Sequence, residues 1–133
     1  MKNKYQNLEK GDTLGIITPS TAGNVILKQK FLHGIEAIKN LGLNVELGFL
    51  TSQMFAKDGY RLDNAKERAE EFNQLYKDNN IKGIICSIGG SNSASILPYL
   101  DYEYIKSNPK LVCGYSDITA LHCALMTKGN LRS

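Results

Sequence analysis

The sequence is sparing with residues that advertise chemistry: 133 residues contain two histidines and three cysteines. The cysteines, Cys86, Cys113 and Cys123, are odd in number and form no CxxC pair, which argues against a disulfide framework and against a metal site. Cys86 and Cys113 fall inside apolar, strand-like runs and read as buried thiols in a reducing compartment. Neither GxGxxG nor GxxxxGK[ST] occurs, so nucleotide binding by those routes has no support. Sixteen Lys and Arg against thirteen Asp and Glu leave a net charge of +3. The lysines are scattered, with no basic run interleaved with aromatics, so no nucleic-acid partner is expected. The opening MKNKYQNLEKGD lacks the apolar core of a signal peptide. The longest apolar runs are too short to span a bilayer. The expectation is a cytoplasmic protein without a membrane partner.

What is present is an ordinary globular composition, 42% hydrophobic and 22% charged. The length suits one domain that buries roughly two-thirds of its unfolded surface. Strand-like and helix-like stretches alternate. Residues 13–18 (TLGIIT) form a short apolar run closed by the loop 19–23. Asn24 can cap a helix to about Leu41, with Phe31, Ile35, Ile38 and Leu41 at helical spacing and Gly42 as its stop. A second strand covers 43–47, and 51–63 reads as loop. Residues 64–79 form an amphipathic helix, with Ala65, Ala69, Phe72, Leu75 and Tyr76 inward and Lys66, Glu67, Glu70 and Glu71 toward water. A buried strand comes next at 81–88, then the turn 89–92, a helical piece at 95–100, a second from Asp101, a strand at 111–113 and a last helix. This alternation predicts an α/β fold: a flavodoxin-like, three-layer parallel sheet in the order 2-1-3-4.

In such sheets ligands bind beyond the carboxyl ends of the strands, near the switch in strand order. Three unusual loops fall there: Pro19-Ser20-Thr21, Gly89-Gly90-Ser91-Asn92 and Gly114-Tyr115-Ser116-Asp117. A serine between a strand and a helix has the layout of a nucleophile elbow, although the second glycine of GxSxG is replaced by Ile118. The competing reading makes Ser116 a helix N-cap with Asp117 in the first turn. The paired glycines could bring bare N–H groups to an oxyanion or phosphate, or could form a plain turn. A serine nucleophile needs a base. His122 lies six residues on, about 600° of rotation and roughly 9 Å of rise away, out of reach of the Ser116 side chain. His33 is in the first helix, and Asp117 suits capping better than base work. No Ser-His-acid set can be assembled from these residues.

Four stretches nevertheless resemble the LD-carboxypeptidase family of serine peptidases, and within it the branch that confers self-immunity to microcin C7. LEKGDTLGIITPS is similar to its opening strand and Pro-Ser turn, and GYRLDNAKERAEEFNQLYKDNNIKGIICSIGG to its second helix and third strand. SNSASILPYLDYEYIKSNPK is similar to the family's stretch after the paired glycines, and GYSDITALH to its nucleophile motif. The resemblance implies a metal-free, cofactor-free hydrolase acting on an amide in a murein peptide or a microcin-type peptidyl-nucleotide. It implies Ser116 as nucleophile, with the backbone N–H groups of Gly90 and Asp117 forming the oxyanion hole. Gly89, Ser91, Asn92, Pro19 and Ser20 would contact substrate. The family's base, a histidine, and its orienting glutamate belong to a C-terminal domain, so residues 1–133 are expected to be the nucleophile-bearing N-terminal domain alone. The alternative is a truncated, non-catalytic fragment that only folds or binds a ligand or partner. The missing C-terminal domain is an implied partner, and a homodimer is the family's tendency.

Overall fold

A computed structural model describes residues 4–133. The first three residues of the polar opening stretch lie outside the described residues. Four strands, β1 (Thr13–Ile17), β2 (Asn44–Leu47), β3 (Ile81–Cys86) and β4 (Leu111–Cys113), form one sheet in the order β2-β1-β3-β4. Every pairing is parallel, with Leu14 opposite Val45, Ile16 opposite Ile85, and Ile84 opposite Val112. The expected order 2-1-3-4 is the observed one. The chain's two halves leave the sheet in opposite directions from β1 and β3, which places the switch point between those strands.

One face carries the main core. Ile17, Ile84, Cys86 and Val112 pack against Ala69, Phe72, Leu75 and Tyr76 of α3 (Ala65–Lys77) and against Leu121 and Leu125 of α5 (Thr119–Thr127). Asn64 caps α3 by accepting from Glu67 N at 2.9 Å. Phe72 and Tyr76, one helical turn apart, stack with centroids 5.3 Å apart. A 3-10 segment at Ser93–Tyr99 and the short α4 (Tyr102–Ser107) complete this layer, with Asp101 capping α4 through Tyr104 N.

The other face is thinner and departs from the sequence reading. The helix expected from Asn24 to Leu41 breaks at Leu27 into α1 (Gly23–Ile26) and α2 (Lys28–Asn40). Asn24 is no cap: it lies inside α1, fully buried, and its amide donates to Thr51 O at 2.8 Å. Phe31, Ile35 and Ile38 are only half-buried, and Leu41 is 69% exposed. The expectation of a buried Cys113 is also corrected. It lies on the outer strand opposite Ile85, on this thinly covered face, and is exposed. Cys123 is exposed as well, while Cys86 is buried. Among the described residues no helix is long and apolar enough to cross a membrane, and no group of three or more His, Cys, Asp or Glu could hold a metal.

The largest correction concerns α3. Glu71, expected to face water, is 0% exposed, and its neighbour Arg68 is 2% exposed. Each is buried because the sheet's upper loops offer it partners. The Glu71 carboxylate accepts from Thr51 N at 2.7 Å and from Thr18 N at 3.2 Å, joining the ends of β1 and β2. Gly48 makes room for it, since a Cβ there would stand 2.3 Å from Glu71 Oε1. The Arg68 guanidinium donates to Pro19 O, to Asp63 O and to Ser95 Oγ. A buried ion needs such bonding to be tolerated.

Candidate active site

β4 ends at Cys113 and the chain turns sharply through Gly114 and Tyr115 into a 3-10 turn at Ser116–Ile118, which runs on into α5. Gly114 allows the turn because a Cβ on it would lie 2.6 Å from Ile118 Cγ2. Ser116 then adopts φ +61°, the left-handed region, and is exposed. A non-glycine residue pays about 1–3 kcal/mol for a sparsely populated conformation of this kind. No side chain caps α5, and its N-cap is Ile118. The N-cap role weighed for Ser116 is therefore not the one it has. Its hydroxyl is left at the surface above a helix start, where the helix field favours negative charge.

The loop after β3 comes up against this turn. A Cβ built on Gly89 would sit 3.0 Å from Ser116 Cβ and 3.2 Å from both Ser116 Oγ and Asp117 N. Only a glycine lets the two segments approach so closely without displacement. Gly90 comes next with φ +131°, packed against Thr21, whose Oγ1 would lie 1.7 Å from a Cβ at that position. Gly90, Ser91 and Asn92, which follow Gly89, are exposed. Pro19 and Ser20, expected to contact substrate, are instead buried: Pro19 O receives Arg68 and the Ser20 hydroxyl donates to Asp117 Oδ2 at 2.6 Å.

Asp117 does not cap its own helix. Its carboxylate accepts from Ser20 Oγ and from Ser93 N, the latter at 2.9 Å. Burial alone would raise this carboxyl, but the donors Ser20 and Ser93 outweigh it and hold Asp117 below the usual carboxylate range. The two histidines stay away from the Ser116 hydroxyl. His122 directs Nε2 at Gly114 O, 3.0 Å away, and Nδ1 at Ser133 Oγ. His33 is exposed on α2. The imidazole of His122 braces the turn from behind.

Tyr60 adds a wall that sequence reasoning missed. The Thr21 and Ser91 side chains beside its phenol draw it below its ordinary pKa, and the Arg61 guanidinium stands 5.1 Å over its ring. Nothing in the run 51–63 marks it, because its partners come from two distant loops. Ser93 was missed for the same reason. A cavity of about 950 Å³ opens at the opposite end of the sheet among Lys4, Asp12, Asn79 and Lys110, remote from Ser116.

Comparison with known proteins gives the family and the fold. The chain is 42% identical over 124 residues to the microcin C7 self-immunity protein MccF of Escherichia coli, covering 93% of this chain and 35% of that protein. It is 32% identical over 122 residues to a probable murein peptide carboxypeptidase of Bacillus subtilis, covering 92% of this chain and 36% of that one. A solved structure of MccF in complex with aspartyl sulfamoyl adenosine superposes with a TM-score of 0.86 at 40% identity, over 94% of this chain and 37% of its own. The chain thus spans about a third of the length of these relatives. Residues 14–133 match the LD-carboxypeptidase N-terminal domain, and the chain belongs to that family.

Proposed function

We propose that Ser116 is the nucleophile of an amide hydrolase and that this chain supplies the nucleophile-bearing part of its active site. The observation that carries the reading is the conformation of Ser116, an exposed serine at φ +61° pressed against Gly89. A hydroxyl presented in this way can attack a carbonyl carbon while N–H groups beside it receive the developing negative oxygen. The donors would be the backbone N–H groups of Asp117 and Gly90, with Gly89 shaping the approach. Ser91 and Asn92 line the exposed side, and no cofactor is needed for such a step. The general base is a histidine and its orienting acid a glutamate, both supplied by the part of the relatives' length that this chain does not cover.

The relatives suggest two substrate classes: a murein peptide ending in a free carboxylate, and a peptidyl-nucleotide of the microcin type. The complexes of MccF with aminoacyl sulfamoyl nucleosides favour the second, since this chain's identity to that branch is the higher. A cytoplasmic location would suit either substrate.

Removing the histidine of a serine hydrolase costs about 10⁶ in kcat, and the oxyanion hole retains only about 10³–10⁴ over water. Purified residues 1–133 should therefore not hydrolyse an LD-tetrapeptide or a peptidyl-nucleotide above background. Supplying the family's C-terminal domain, in cis or as a separate chain, should restore turnover that Ser116→Ala abolishes. Serine-dependent hydrolysis by the 133-residue chain alone would overturn the placement of the base. Full activity of Ser116→Ala in the completed protein would overturn the nucleophile.

A further inference from the structure

In the chemistry just proposed only the backbone N–H of Asp117 faces the reaction, and its side chain has no task. Yet that side chain is where three loops meet. Asp117 Oδ2 accepts from Ser20 Oγ at 2.6 Å and from Ser93 N at 2.9 Å, and Asp117 O accepts from Ser93 Oγ at 2.7 Å. Ser20 belongs to the loop after β1 and Ser93 to the loop after β3, and both are fully buried. The single hydroxyl proton of Ser20 also faces Ser91 O at 3.0 Å, and the nearer, charged acceptor holds it. Bonds to a carboxylate are shorter and roughly twice as strong as neutral ones. The same turn contains Ser116 at positive φ, a conformation that persists only where its surroundings over-determine it.

We infer that Asp117 is a positioning residue whose carboxylate draws Ser20 and Ser93 onto the β4 turn and thereby holds Ser116 in its left-handed conformation beside Gly89. The catalytic meaning of this rests on Ser116 being the nucleophile, whereas the geometry stands by itself. Ser20 and Ser93 then serve the site without touching substrate, which accounts for their complete burial.

The test uses solution NMR on the 133-residue chain, comparing wild type with Asp117→Asn and Ser20→Ala. The three-bond coupling between the Ser116 amide and α protons reports its φ, and amide exchange at Ser93 and Gly90 reports how firmly the β3 loop is held. In Asp117→Asn the Ser116 coupling should leave its wild-type value and Ser93 should exchange about tenfold faster, the effect of exchanging a charged acceptor for a neutral one. The amides of Ile84 and Val112 in the sheet should keep their rates. Ser20→Ala should move the same reporters in the same direction by less, and it carries the test if Asp117→Asn does not fold. An unchanged Ser116 coupling in the folded variants would overturn the inference. So would faster exchange spread equally over the sheet, because a merely stabilising carboxylate loosens everything together. Failure of Ser116→Ala to abolish turnover in the completed enzyme would leave these readouts untouched, so the two readings fail separately.

Discussion

Gly90 is under two constraints at once, one from its backbone and one from its neighbour. It sits at φ +131°, and a methyl group there would meet Thr21 Oγ1 at 1.7 Å. Gly59 provides the contrast, with φ +77° and open space around it. Gly90→Ala should therefore cost more than about 1 kcal/mol, and more than Gly59→Ala, which bears the backbone penalty alone. Equal denaturant midpoints for the two variants would show that Thr21 simply moves aside. Glu71 allows a different test. Burial raises its carboxyl above 4.5, although Thr51 and Thr18 donate to it. The folded protein thus holds this proton more tightly than the unfolded chain does. The associated stability is fully present below pH 4.5 and is lost as pH rises through the raised native value. Relative to Glu71→Gln, which does not titrate, the wild-type urea midpoint should climb as pH falls from neutrality toward 4.5. A constant difference between the two across that range would contradict the raised value.

Helices show where one sequence suffices and where it does not. The apolar spacing of α3 and its Asn64 cap are both legible, and Asn64→Ala should cost about 1 kcal/mol, measurable by thermal unfolding. Glu71 is expected to face water on its charge, yet its position, like that of Arg68, decides its burial. They lie three residues apart, with Phe72 and Leu75 each four residues on, so the helix carries them to the edge of its apolar face. What buries them is the set of carbonyls and N–H groups on loops from β1, β2 and β3, which no local pattern contains. α1 and α2 were read as one helix for a similar reason: the break at Leu27 lets Asn24 reach Thr51 O. In α5 the small Ala124 is buried, 7% exposed. Ala124→Leu should overpack that contact by roughly 1–3 kcal/mol. An unchanged denaturant midpoint would mean that the helix has room to shift.

At the scale of the molecule, alternating elements and the parallel-sheet rules were enough to give the strand order and to bring three loops to one end. The atomic fit of those loops was not legible, because each contact joins residues far apart in sequence. The thin side of the sheet is also a feature of the whole. Leu27 and Tyr115 border an apolar hollow of about 220 Å³ between α2 and β3, and Ile26, Leu32 and Leu41 are exposed nearby. Apolar surface of this kind favours association, so sedimentation of the 133-residue chain should show concentration-dependent self-association that Leu27→Lys reduces. A single monomeric species at all concentrations would argue against it. The Ser20–Asp117 hydrogen bond spans 97 residues and the Ser20–Ser91 contact spans 71. Closing loops of that length is slow and yields nothing until the ends meet. In a nascent chain β1, β2 and β3 can therefore pair before the residues of the Ser116 turn have been made. The Ser20–Asp117 bond can form only once β4 has docked, so the left-handed turn at Ser116 should be among the last parts of this sheet end to be fixed.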